Sequence, residues 1–179
     1  MICLTVEESE AWFKPKGISI KNGHDLDFGT EAKLHGRHIA TYKMPANPEE
    51  LARYIQAIVG WLPNGGQRLL WLKSWHTYPV SEMKFVETIR RGSGEVRPII
   101  ETPAHLFEST EYKDYESRTP LDENEEAIMS GLALVLVCFD WNAYLLAQNH
   151  SDYIYLADGC AYFSSTNSQR IEDMRNLRR

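Results

Sequence analysis

The sequence predicts an α+β fold: a single, mostly antiparallel sheet with helices packed on it, ending in a β-meander followed by a short helix. Two observations carry this. The last third of the chain holds three strand-like runs, Trp141 to Ala147, Tyr153 to Ala157 and Cys160 to Ser164, joined by QNHSD and by Asp158-Gly159. Asp-Gly between alternating apolar residues is a hairpin signal, and strands joined by turns that tight must run antiparallel. Earlier strand-like runs occur singly, with helical periods between some of them, as expected when helices cover a sheet.

The elements follow in order. Thr5 stands three residues before Glu8, the spacing of a capping box. It opens a short helix through Ala11, Trp12 and Phe13 that Lys16-Gly17 ends. Ile18 and Ile20 alternate with Ser19 and Lys21 as a short strand, and Asn22-Gly23 is a turn. His24 to Leu34 is polar without a clear period, and Arg37 to Met44 reads as a strand. Asn47 is a helix cap with Pro48 at the first position. Leu51, Tyr54, Ile55, Ile58 and Val59 then form one apolar face up to Gly60.

In RLLWLKSWHTYP, Arg68 to Pro79, both faces start apolar and turn polar at Lys73 and Ser74. That is the pattern of a central strand emerging from the core. Trp71 is expected to pack, leaving Trp75, His76 and Tyr78 for binding. Ser81 to Arg91 reads as a helix, and Val96 to Ile100 as an edge strand because of Pro98. Thr102-Pro103 reads as the start of a short helix through Leu106 and Phe107. A long helix runs from about Asp122 to Val137, apolar nearly all round in its later turns, and Thr166 to Arg179 closes the chain as a helix.

The 179 residues suit a single globular domain, 1–179, with an acidic, partly irregular segment at 101–121. Three cysteines, Cys3, Cys138 and Cys160, form no disulfide framework, and the last two sit in apolar contexts as core fillers. The start has no basic region before an apolar run, so no signal peptide is read there. The expectation is a cytoplasmic protein. A net charge of −6 argues against direct binding of nucleic acid or a membrane surface.

That charge is local. Residues 101–126 hold nine acids against Lys113 and Arg118, a net of −7, so the rest of the chain sums to +1. Phe107, Tyr112 and Tyr115 are interleaved with the acids. Aromatics give contact area at low entropic cost, and carboxylates steer and select a cationic partner. The expected function is therefore a non-enzymatic protein-binding module, an inhibitor or immunity-type antagonist of a basic protein such as a toxin or nuclease. Its contact residues would be Glu108, Glu111, Tyr112, Asp114, Tyr115 and Glu116, with Trp75 and His76.

Two rival readings differ in kind. A hydrolase would use His24, Asp25, Asp27, Glu31, His35 and His38, but their spacing fits no zinc or iron motif, and no Gly-x-Ser-x-Gly elbow is present. No metal or other cofactor is expected. A structural homodimer would bury Trp61, Trp71 and Trp75 against a second copy. The glycines of LPNGGQRLL follow a helix and precede a strand, the reverse of a phosphate cradle, so they read as a turn.

Overall fold

A computed structural model describes residues 1–29, 36–62, 66–108, 123–148 and 151–176. It has nine strands and five helices among these residues. The strands are β1 (Ile2–Leu4), β2 (Ser19–Lys21), β3 (Asp25–Asp27), β4 (His38–Lys43), β5 (Gln67–Leu72), β6 (Ala104–Glu108), β7 (Ala143–Ala147), β8 (Asp152–Ala157) and β9 (Cys160–Ser165). The helices are α1 (Val6–Phe13), α2 (Pro48–Trp61), α3 (Val80–Gly92), α4 (Glu123–Cys138) and α5 (Ser168–Asn176). Seven strands form one antiparallel sheet in the order β1-β6-β5-β7-β8-β9-β4, and β2-β3 is a separate hairpin. The class is α+β, and the chain ends in the meander β7-β8-β9 followed by a short helix.

Local chemistry sets the helix starts. The Thr5 side chain accepts the Glu8 N–H while Glu8 returns a bond to the Thr5 N–H at 2.7 Å. The Asn47 side chain accepts the Glu49 N–H at 2.8 Å, ahead of Pro48. Helix α2 runs one residue beyond Gly60, because the Trp61 ring packs on Phe163 at 5.3 Å and its N–H donates to the Arg170 carbonyl.

The register sorts side chains onto two faces. Cys3, His105, Leu70, Leu145, Ile154 and Phe163 lie in one cross-strand row under the helices. Arg90 of α3 meets Cys3 at one end of that row, and Trp61 of α2 meets Phe163 at the other. Helix α4 packs on both α2 and α3, which explains why its later turns are apolar nearly all round. On the opposite face the row is Leu4, Ala104, Trp71, Tyr144, Tyr155, Tyr162 and Thr41. There the Phe13 ring meets Trp71 edge-on at 5.7 Å, and the Trp71 N–H donates to the His24 carbonyl at 2.8 Å. Helix α1 and the β2-β3 hairpin thus sit over β5.

Several expectations change. The stretch after Thr102-Pro103 is strand β6, not a short helix, because it is claimed from both sides by β1 and β5. Its alternation of Ala104 and Leu106 with His105 and Phe107 fits that pairing. Residues 104–108 therefore belong to the sheet rather than to an irregular segment. Val96 to Ile100 forms no strand. The polar run after Asn22-Gly23 supplies β3, the second strand of the hairpin. Of the cysteines, Cys3 is buried, Cys138 is exposed at the end of α4, and Cys160 is half-buried beside the turn at Asp158-Gly159. Trp61, Trp71 and Trp75 are all interior, so they are not a surface waiting for a second copy.

Trp71 is fully buried between Phe13, Trp75 and the hairpin. Trp71→Ala is expected to cost about 3–5 kcal/mol, the range for a truncated core aromatic. Urea unfolding followed by circular dichroism measures it, and a loss below about 1 kcal/mol would contradict this packing.

Candidate functional site

The aromatic stretch after β5 turns out to be core. Ser74 adopts a left-handed conformation, φ 55°, that swings the chain out of the strand direction. A 3-10 turn over Trp75–Thr77 then folds the chain back. Trp75 is only 8% exposed, packs edge-on against Trp71 at 5.6 Å and donates its N–H to the Ile100 carbonyl. Its expected role as a free contact residue is corrected by that burial. Tyr78 stacks on Trp141 at 4.0 Å, donates to the Lys73 carbonyl at 2.7 Å and accepts the Asn142 N–H at 2.8 Å. Burial pushes the Tyr78 hydroxyl up to about 12. Of the three, His76 alone stays exposed.

His24, Asp25, Lys73 and His76 meet where the hairpin crosses the end of β5. The His24 and His76 rings lie 5.6 Å apart, and Lys73 Nζ is 2.8 Å from Asp25 Oδ1. That contact lowers the Asp25 pKa and raises that of Lys73. His38 is elsewhere, on β4, four strand spacings from β5, or on the order of 19 Å away. His24 and His38 of the hydrolase reading are therefore not brought together, and Glu31 and His35 lie outside the described residues. Among the described residues no group of three His, Cys, Asp or Glu side chains is placed to hold a metal.

Periodicity alone did not single out a row of tyrosines beyond the hairpin. Tyr144 stacks on Tyr155 at 4.5 Å, Tyr155 lies 6.0 Å from Tyr162, and Phe28 stacks on Tyr153 at 4.7 Å. The signal was present as the alternation in Tyr153-Ile154-Tyr155 and Ala161-Tyr162-Phe163. Arg37 stands 4.5 Å over the Tyr153 ring, and its guanidinium donates to Ser164 Oγ and the Ser151 carbonyl. Burial pushes the Tyr144 hydroxyl up to about 12, whereas Tyr155 and Tyr162 lie on the half-open part of the face.

Of the acidic contact residues, Glu111, Tyr112, Asp114, Tyr115 and Glu116 lie outside the described residues, and Glu108 is placed only by its backbone, opposite Gln67. The flanks of that segment are described. β6 is paired on both sides, Ile2 pairs with Leu106, and the Met1 amine contacts Glu125 in α4. Both flanks therefore sit at the same end of the sheet. The chain matches no protein-family model, no curated protein and no solved structure.

A second polar cluster is buried under α3. Arg90, 1% exposed, donates to Thr102 Oγ1 and to Cys3 Sγ, and its Nη1 has no hydrogen-bond partner among the described residues. His105 is wholly buried, and among the described residues neither ring nitrogen has a hydrogen-bond partner. Burial, reinforced by the Arg90 charge, pulls its pKa down from 6.5 to about 3.

His105 makes stability depend on acid. Between the unfolded value of about 6.5 and the folded value of about 3, only the unfolded chain binds the proton. The contribution of His105 is thus intact above about pH 6.5 and is lost as pH falls, by at most about 1.4 kcal/mol per unit. His105→Leu is expected to lose less stability than wild type between about pH 7 and 4.5, read from urea midpoints. Identical losses would refute this account.

Proposed function

We propose that this protein is a non-enzymatic binding module, an inhibitor or immunity-type antagonist that captures a basic partner protein. The observation that carries the reading is the segregation of charge: residues 101–126 hold a net of −7 in a chain whose total is −6. The fold supports it through the flanks. A segment held by a central strand at one end and a central helix at the other loses less freedom on binding than a free tail would. The contact residues we assign are Glu108, Glu111, Tyr112, Asp114, Tyr115 and Glu116, with exposed His76 as a further candidate. Trp75 leaves the set because its ring and its N–H are both used in the core.

A toxin or nuclease with a cationic cleft has the chemistry such a segment would occlude. Among the described residues no helix is long and apolar enough to cross a membrane. We place the protein in the cytoplasm on its unpaired cysteines, one of them exposed.

The tests are capture from the source cell and kinetics. Wild type is expected to retain a protein with an isoelectric point above about 9. The association rate is expected to fall about tenfold or more between low and physiological salt, because screening removes long-range steering. The triple variant Glu111→Lys, Asp114→Lys, Glu116→Lys is expected to lose the partner with its circular dichroism unchanged. Retention by the folded triple variant, or a salt-independent rate, would refute the proposal.

A further inference from the structure

We infer that the buried Arg90 guanidinium holds a small monovalent anion, of the size and charge of chloride, at a site separate from the acidic surface proposed above. Arg90 stands near the end of α3 with its side chain in the interior. Its Nε donates to Cys3 Sγ at 3.4 Å, and its Nη2 donates to Thr102 Oγ1. Neither acceptor carries charge: one is a hydroxyl, and burial raises the pKa of the Cys3 thiol. Among the described residues no carboxylate lies within ion-pair distance of Arg90, and Nη1 has no hydrogen-bond partner. A cation taken out of water is strongly disfavoured unless an opposite charge or a full set of acceptors replaces its hydration.

The acceptors nearby are turned to other donors. Glu95 Oε1 accepts from the Arg97 main-chain N–H and from Nε of its side chain, and Oε2 accepts from Arg97 Nη2. Glu87 Oε1 takes the Ile99 N–H. The Arg90 and Arg91 carbonyls, at the end of α3, are capped by the N–H groups of Ser93, Gly94 and Glu95. His105 adds a second donor in the same position. It is the cross-strand partner of Cys3, and its neutral imidazole carries one N–H with no acceptor among the described residues. Two orphaned donors, one of them cationic, thus flank the same thiol.

The space beside them fits one small ion. A pocket of about 60 Å³ opens between α3 and residues 95–98, and its charged lining is Arg90, Arg91, Arg97, Glu87 and Glu95. One water needs on the order of 15 Å³ of such space, so an anion and an accompanying water can both enter. Three arginines against two glutamates leave a net of +1. That sign attracts an anion, and that size balances a single charge; a doubly charged oxyanion would meet both carboxylates without enough cation to offset them. Arg90 is the buried member of the lining, while Arg91 and Arg97 are exposed and form a cationic rim.

The probe is sodium chloride, exchanged for sodium gluconate at constant ionic strength, with the full chain followed by chloride-35 NMR and by thermal unfolding. Chloride is expected to show an excess linewidth that saturates at about one site per chain, and the unfolding midpoint is expected to rise over the same concentrations, because the ion binds only the folded protein. Arg90→Met fills the same space without the charge and is expected to abolish both effects. Arg91→Gln alters only the rim and is expected to weaken chloride by less than about tenfold, since an exposed charge is screened. Bromide-soaked crystals of the unaltered chain locate the ion without any variant: one anomalous peak is expected at hydrogen-bond distance from Arg90 Nη1. Water alone at that place, a linewidth that never saturates, or equal broadening by a folded Arg90→Met chain would overturn the inference, and if that variant does not fold the bromide map decides.

Discussion

The central strand β5 is buried on both faces, and most of the architecture answers to that constraint. Leu69, Leu70, Trp71 and Leu72 are each at most 2% exposed. A strand sealed on both sides needs two coverings. One is the layer of α2, α3 and α4; the other is α1 with the β2-β3 hairpin, fastened by the Trp71 N–H to the His24 carbonyl. Among the described residues the second covering reaches as far as Phe28, whose ring stacks on Tyr153 of β8. Tyr155 and Tyr162, farther along the same face, are half-buried.

The parts of the fold legible in sequence were those with local signals. Thr5…Glu8, Asn47-Pro48, Asn22-Gly23 and Asp158-Gly159 each act over four residues or fewer, and each marks what it was expected to mark. β6 was misread because Thr102-Pro103 is a sound helix-start signal that lost to pairing with two strands distant in sequence. β1 escaped notice because three residues show no period. Of the site, the acidic concentration could be read from composition alone. The fate of Trp75 could not, since Ser74 reverses the chain through a backbone angle that no residue pattern there advertises.

Charge and structure are divided differently along this chain. The described sheet and helices include ion pairs such as Lys73 with Asp25 and Arg170 with Asp152 at 2.9 Å. The surplus acid is gathered between residues 101 and 126, from the turn before β6 through the connection beyond it to the first turn of α4. A molecule polarised in this way orients in the field of whatever it approaches before any contact forms.

The bond from Trp71 to the hairpin has an asymmetric consequence for sequence drift. The donor is a side chain, but the acceptor is a main-chain carbonyl, which every residue possesses. Position 24 can change identity without breaking the fastening, provided Asn22-Gly23 keeps the turn. Position 71 has no such freedom, since an indole must both fill the space and supply the N–H. Two touching positions would thus diverge at different rates over evolutionary time, and a search for paired substitutions would find no trace of the contact that seats the hairpin.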